Sequence, residues 1–182
     1  MKGKQILIVI GIVIAIILSI CLFFASTNNR AISLEEQIKV TDSDVQVQEK
    51  RRTDLIYNLV DCVKAYDAHE SDTLLVIVEA RGANKSIDID EINTSLAATV
   101  EAYPELKSNE NYKELMNELA ITENKIAESR STYNSQVRNY NKYVRKFPHK
   151  QILAMMGYET VEYEYLEYSD EDTKAVSNLF GE

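Results

Sequence analysis

The feature that most restricts the fold of this chain is an uninterrupted apolar run near its N-terminus. The residues from Gln5 to Ala25, QILIVIGIVIAIILSICLFFA, carry no charge. As an α-helix this run extends about 30 Å, the thickness of the hydrocarbon core of a bilayer. We therefore predict a short N-terminal tip over residues 1–4 and a single transmembrane helix over residues 5–25.

A cleaved signal peptide or a lipoprotein signal would also begin with an apolar run. A signal-peptidase site requires small residues, but Phe23 stands two positions before Ala25. A lipoprotein signal would use Cys21, but Ile20 occupies the position where a small residue is expected, and the apolar run continues beyond the cysteine. An uncleaved, single-pass anchor therefore fits better.

Glycine and proline are scarce, which favours helices over strands and turns. The chain has 5 Gly and 2 Pro, and neither residue occurs between Ile12 and Arg81 or between Ala83 and Tyr103. The sequence predicts an all-α fold, a helical bundle with two long and two short helices. After a linker at 26–32 and a capping box at Ser33, the expected helices are about 33–66, 70–81, 90–103 and 108–147. The bundle would occupy 33–148, followed by an apolar turn and an acidic, tyrosine-rich tail over 149–182.

A repeat marks the last long helix. The pattern YNxxVR begins at Tyr133 and again at Tyr140, and seven residues are two turns of α-helix. Apolar and aromatic residues continue at this step along one line: Tyr112, Leu119, Ile126, Tyr133, Tyr140 and Phe147. This spacing predicts a coiled-coil seam between the long helices.

The short helices would extend about 18 and 21 Å, and the long helices about 54 and 60 Å. The long helices would then lie near the membrane as an uncovered pair, so we place a surface for a protein partner or a second copy there. Its residues would be Tyr133, Arg138, Tyr140, Tyr143, Arg145 and Phe147, with Tyr140 and Tyr143 as anchors. The alternative is that these tyrosines only hold the two helices together.

Charged residues interrupt the two seams near their middle: Glu49, Arg52, Glu123 and Arg130. One interpretation is a buried polar layer of salt bridges that fixes the register of the helices. The other is that all of these charges are exposed to solvent.

Catalytic and cofactor signatures are lacking in the sequence. No Gly-rich phosphate loop, Cys-x-x-Cys or Gly-x-Ser-x-Gly occurs, and neither His69 nor His149 belongs to a Glu-x-x-His motif of a two-metal site. We expect a capping or surface role for His69 and a solvated one for His149. The sequence therefore predicts no enzyme, no metal and no cofactor. The alternatives are a carboxylate-rich metal or enzymatic site and a small-molecule sensor.

Charge is concentrated in the C-terminal tail. The net charge is −9, and residues 157–182 contain eight acids and one lysine, which makes −7. A nucleic-acid partner is therefore not expected. The segment QILAMMGY could contact the membrane or a partner, or cover the end of the bundle, and the acidic segment after it could be a strand, an interaction strip or disordered.

Three stretches resemble the LemA family of bacterial membrane proteins: VQEKRRTDLIYNLVDCVKAYDAHE, YPELKSNENY and TENKIAESRSTYNSQVRNYNKYVRKFP. The chain departs from the family at Tyr57, where proline is usual, and the tail after Gly157 lies outside the resemblance. The resemblance implies an antiparallel up-down four-helix bundle behind one span, with no established enzymatic activity. It also implies a role in envelope organisation, since one member is associated with building magnetosome membranes.

The expected location is the bacterial cytoplasmic membrane. Lys2 and Lys4 precede the span closely, whereas Arg30 and Lys39 follow it at a greater distance. This distribution favours a cytoplasmic N-terminus and a domain on the extracytoplasmic side. The predicted function is that of a membrane-anchored scaffold or adaptor that binds other membrane or envelope proteins.

Overall fold

The structure is a computed structural model that describes residues 2–64 and 103–167. Its elements are α1 (Lys2–Lys64), a 3-10 helix (Pro104–Ser108), α2 (Glu110–Arg145) and α3 (His149–Met155). Within these ranges all regular structure is helical, as the scarcity of glycine and proline predicts. The two short helices expected at 70–81 and 90–103 lie outside the described residues, apart from the last residue of the second.

Helix α1 continues without a break from the predicted span to Lys64, a length of 63 residues. The linker expected at 26–32 is therefore wrong, and so is the helix start at Ser33. Ser33 does not cap a helix, and its hydroxyl accepts a hydrogen bond from Gln37 at 3.3 Å. The physical reason is that no glycine or proline interrupts this stretch and that Thr27 and Ala31 are buried. The helix also continues past Tyr57 without an interruption.

The apolar part of α1 has the properties of a membrane span. Its most apolar window has a mean hydropathy of 3.4, and none of that window is buried against other described residues. Among the described helices, α1 is the one long and apolar enough to cross a bilayer. One N-terminal apolar helix of this kind fits a single-pass membrane protein.

Helix α2 begins and ends where its sequence provides the stop signals. The Asn109 side chain accepts a hydrogen bond from the Tyr112 backbone N–H at 3.1 Å and so caps the first turn. Lys142 and Arg145 lie in the last turn, where cations interact favourably with the helix dipole. The predicted end at Phe147 is two residues too late, and Phe147 itself is disfavoured in the helical conformation because it directly precedes Pro148.

The contacts divide the chain into two compact units, and one of them contains Ser43–Ser131. In this unit α1 and α2 run antiparallel, and a cluster of apolar side chains fills the space between them. The cluster comprises Ile56, Leu59, Val60 and Val63 of α1, Leu106 of the 3-10 helix, and Tyr112, Met116 and Leu119 of α2. The α2 members recur at the spacing that the sevenfold repeat predicts.

The other unit contains residues 1–42 and 132–165. Its buried apolar side chains come from three helices: Ala31, Leu34 and Ile38 of α1, Tyr133, Val137, Tyr140 and Val144 of α2, and Ile152 and Leu153 of α3. The repeat therefore lies on a core face, except for Phe147. That residue is 74% exposed, because it lies beyond the end of α2.

The chain reverses direction at Gly157. Its φ of 71° is in the left-handed region, and the N–H groups of Gly157 and Tyr158 donate to the carbonyls of Ala154 and Leu153 at 3.2 and 3.0 Å. This is a Schellman motif, which favours glycine at this position. It directs residues 158–165, which we call the strap, back along α1 and α2. The prediction that the helix pair is uncovered here is therefore wrong, because the strap packs on it.

We predict that residues 27–182 fold without the span. Every buried side chain among the described residues lies at or beyond Thr27, so deleting the apolar run removes none of them. Circular dichroism of this shortened chain should show a mostly helical spectrum and a cooperative thermal transition. A spectrum of coil or strand would contradict the prediction.

Candidate contact surface and polar pairs

The structure divides the six residues predicted for partner binding between core and surface. Tyr140 is fully buried and Tyr133 is 8% exposed. Tyr143 is half-buried, and Arg138, Arg145 and Phe147 are exposed. In this structure the aromatic half of the repeat belongs to the core, and the two arginines and Phe147 are the members that a partner could reach.

Tyr140 is the centre of a polar cluster under the strap. Its hydroxyl lies 3.3 Å from a carboxylate oxygen of Glu35 and 3.3 Å from the hydroxyl of Tyr158. The Tyr140 hydroxyl oxygen also accepts a hydrogen bond from the Val161 backbone N–H at 3.0 Å. The ring of Tyr163 meets the Tyr140 ring edge-on, with centroids 5.4 Å apart. The prediction of Tyr140 as an open partner anchor is therefore wrong, because the strap occupies the surface that a partner would use.

The Tyr158 hydroxyl donates a hydrogen bond to Glu35 within this cluster. Burial, followed by the hydrogen bonds with Glu35 and Tyr140, raises the pKa of Tyr158 well above its ordinary value of 10.0. Burial also raises the pKa of Tyr163, with the nearby Glu35 carboxylate as the next cause. Both hydroxyls therefore keep their protons to a higher pH than an exposed tyrosine does.

Tyr143 connects α2 to the end of the predicted span. Its hydroxyl donates a hydrogen bond to the Thr27 backbone carbonyl at 3.2 Å. Its ring stacks on His149, with centroids 4.2 Å apart, and the His149 ring lies 6.4 Å from that of Phe23. His149 was expected to be solvated, but it is packed between rings, and its Nδ1 atom is enclosed without a hydrogen-bond partner. Tyr143 therefore contributes packing, and its removal would disturb the fold.

The four seam charges are brought together as two ion pairs between α1 and α2. Arg52 lies 3.6 Å from Glu123, and Arg130 lies 2.9 Å from Glu49. The side chains of Arg52 and Glu123 are 15% and 20% exposed, and those of Arg130 and Glu49 are 13% and 36% exposed. A more exposed pair, Arg51 with Glu118, lies beside them. Because the two seam pairs are shielded from solvent only in part, breaking either should cost more than breaking an exposed pair and less than breaking a fully buried one.

Sequence reasoning missed Glu35, Tyr158 and the Thr27 carbonyl. Glu35 had no distinguishing signal, because a glutamate on a helix is normally a solvated residue. The alternating tyrosines of the strap were a usable signal, but the sequence left a strand, an interaction strip and disorder open for this segment. The described residues contain no group of three or more His, Cys, Asp or Glu side chains that could hold a metal ion.

Comparison with known proteins gives one family match. The LemA family model matches residues 41–180. This range includes the strap and most of the acidic tail, so the expectation that the tail after Gly157 lies outside the family is wrong. The match leaves out the apolar run of α1, which ends at Ala25.

The relatives include a LemA protein and magnetosome proteins. The chain is 25% identical over 146 residues to Protein LemA of Metamycoplasma hominis, which covers 72% of this chain and 67% of that protein. It is 35% identical over 68 residues to the magnetosome protein MamQ of Magnetospirillum gryphiswaldense, covering 37% of this chain and 25% of that protein. The MamQ 2 protein of Paramagnetospirillum magneticum matches to the same extent. The chain thus spans only a quarter of the length of these magnetosome proteins.

We predict that Arg52 and Glu123 are energetically coupled. Replacing Glu123 by alanine should lower the free energy of unfolding by about 2 kcal/mol, between the values for exposed and buried pairs. Urea unfolding of the full-length chain in mild detergent would measure this change and the coupling in a double-mutant cycle with Arg52→Ala. The control is Glu36→Ala, whose partner Lys39 is 61% exposed, and its cost should stay within about 0.5 kcal/mol. A double-mutant cycle without coupling between Arg52 and Glu123 would contradict the hypothesis of a polar layer.

We also predict an alkaline loss of stability that depends on Tyr158. The pKa of Tyr158 is higher in the folded state, so the folded chain keeps the proton that the unfolded chain loses. The contribution of this hydroxyl to stability is therefore complete below pH 10.0 and is lost as the pH rises above it. The free energy of unfolding should fall more steeply from neutral to alkaline pH for the wild type than for Tyr158→Phe. Tyr165 is 50% exposed, so Tyr165→Phe should keep the wild-type slope. If the wild type and both variants lose stability with pH at the same slope, Tyr158 is not the group responsible.

Proposed function

The chain belongs to the LemA family, and on that premise we propose that it is a non-enzymatic, membrane-anchored scaffold or adaptor that binds other membrane or envelope proteins through its helical domain. The observation that carries this proposal is the continuity of α1 from the apolar run to Lys64. Within the unit that contains residues 1–42 and 132–165, this continuity joins the packed part of α1 directly to the apolar run, which suits a protein that holds partners at a membrane.

Three further features support the proposal. The described core is filled with apolar side chains, and its two buried polar residues, Thr27 and Thr122, donate hydrogen bonds to backbone carbonyls of their own helices. The names of the matched relatives specify no reaction. Two of these relatives are magnetosome proteins, which points to work at a membrane.

The finer architecture that we propose is an antiparallel up-down four-helix bundle. In it α1 and α2 form the long pair, and the short helices complete the unit that contains Ser43–Ser131. We also propose that the N-terminus is cytoplasmic and the domain extracytoplasmic, because Lys2 and Lys4 directly precede the span.

The partner surface that we propose lies on the outer face of α2 around Arg138, within the unit that contains the strap. Arg138 is exposed, and the described structure gives it no ion pair. Arginine is favoured at protein interfaces because its guanidinium group binds carboxylates with two parallel hydrogen bonds. We expect this face to bind either a membrane protein or a second copy of the chain.

In-cell photo-cross-linking of the full-length chain tests this function. A photoreactive amino acid at Arg138 should give a reproducible product in intact cells, whereas the same group at Val40, which is 60% exposed on α1, should not. Mass spectrometry would identify the captured protein, and a product of two identical chains would indicate self-association. Arg138→Glu should weaken capture by a photoreactive group at the neighbouring Asn139, which is also exposed. If no position on α2 gives a specific product, the scaffold proposal fails.

A further inference from the structure

The segment from Phe147 to Met156, which we call the foot, exposes large apolar side chains. Phe147 is 74%, Met155 76% and Met156 43% exposed. The buried residues of α3 within this segment, Ile152 and Leu153, fix the helix to its own unit. The foot thus presents apolar groups outward from a well-packed base, and exposed groups of this kind often mark a contact site.

The foot lies at the end of the apolar run of α1. His149, the first residue of α3, has its ring 6.4 Å from that of Phe23, which is within the run. Tyr143, on which His149 stacks, is hydrogen-bonded to the Thr27 carbonyl, two residues after the run ends. If the apolar run crosses the hydrocarbon core, the foot is at the level of the lipid headgroups.

The charge around the foot is positive, although the chain as a whole is acidic. The chain has 29 Asp and Glu residues, yet none occurs from Ser129 to Tyr158. The same stretch contains Arg130, Arg138, Lys142, Arg145, Lys146 and Lys150. Lys146 and Lys150 are exposed on either side of the start of α3. Arg145 has only a weak, solvent-exposed pair with Glu162 at 3.8 Å.

We propose that the foot is a second membrane-contact site, which inserts into the interface of the bilayer beside the span. Phe147, Met155 and Met156 would enter the boundary between headgroups and acyl chains, and Lys146 and Lys150 would bind the phosphates of anionic lipids. Apolar side chains bordered by lysines are typical of segments that lie in this interface, since lysine can extend its ammonium group towards water. The partner is thus an anionic lipid surface.

This contact would add a second attachment point to the single span. A lone helix can tilt and rotate in the bilayer, and its orientation is set by interfacial residues and packing. With the foot docked, the unit that contains it is held against the membrane surface. The inference goes beyond the scaffold function, because a partner could bind α2 whether or not the foot touches lipid.

Depth-dependent quenching in nanodiscs tests the contact with the full-length chain. In a Cys21→Ala, Cys62→Ala background, a fluorescent label at Met155→Cys is compared with the same label at Val40→Cys. Val40 is also well exposed, at 60%, but it lies 15 residues beyond Ala25, or about 22 Å along the helix. Lipids that carry a nitroxide near the headgroup should quench the label at 155 strongly and the label at 40 little.

A charge-matched series tests which lipid binds. In discs that contain phosphatidylglycerol, Lys146→Gln and Lys150→Gln should each lower the ratio of docked to undocked foot about five-fold. Lys39→Gln should leave the ratio unchanged, and in phosphatidylcholine discs none of the three should matter.

Three outcomes would overturn the proposal. The first is equal quenching at positions 155 and 40. The second is quenching at 155 that depends neither on anionic lipid nor on the two lysines. The third is shielding of position 155 that occurs only in discs with two chains, which would assign the foot to self-association. Cross-linking at Arg138 does not depend on these results, so the two proposals can fail separately.

Discussion

The unbroken backbone of α1 is the constraint on which the other described elements depend. Because α1 contains neither glycine nor proline after Gly11, its helical register continues from the apolar run to the residues that α2 packs against. Tyr143 shows the consequence, since its hydroxyl bonds to the carbonyl of Thr27 at 3.2 Å. A helix that restarted after a flexible linker would not hold that carbonyl in a fixed position relative to α2.

Polar groups specify this packing more closely than apolar ones do. An apolar seam with a sevenfold repeat can slip by one repeat and still bury similar residues, whereas an ion pair or a hydrogen bond has only one matching position. In one unit such pairs join Arg52 to Glu123 and Arg130 to Glu49. In the other unit, Glu35 accepts hydrogen bonds from the hydroxyls of Tyr140 and Tyr158.

The sequence predicted what depends on composition and period, and it failed where a contact depends on distant residues. The span follows from length and hydropathy alone, and the buried line from Tyr112 to Tyr140 follows from a repeat of seven. Phe147 was predicted in the buried line but is exposed, because the repeat of seven extends past the end of α2. The linker was wrong because a capping-box pattern at Ser33 is weak evidence inside a stretch without breakers. The burial of Tyr140 could not be predicted, since it depends on how the strap returns after Gly157.

The distribution of charge along the chain agrees with the path of the strap. The strap is acidic, the stretch from Ser129 to Tyr158 has no acid, and the chain reverses direction at Gly157, where the two meet. An anionic surface near the span would attract the cations in and around the foot and repel the glutamates of the strap. The Val161 backbone N–H donates a hydrogen bond to the Tyr140 hydroxyl and so holds the strap along the helices. The same hydroxyl donates to the Glu35 carboxylate, so the strap lies on the side of Glu35. Membrane electrostatics and the packing of the strap would then favour the same arrangement, each without reliance on the other.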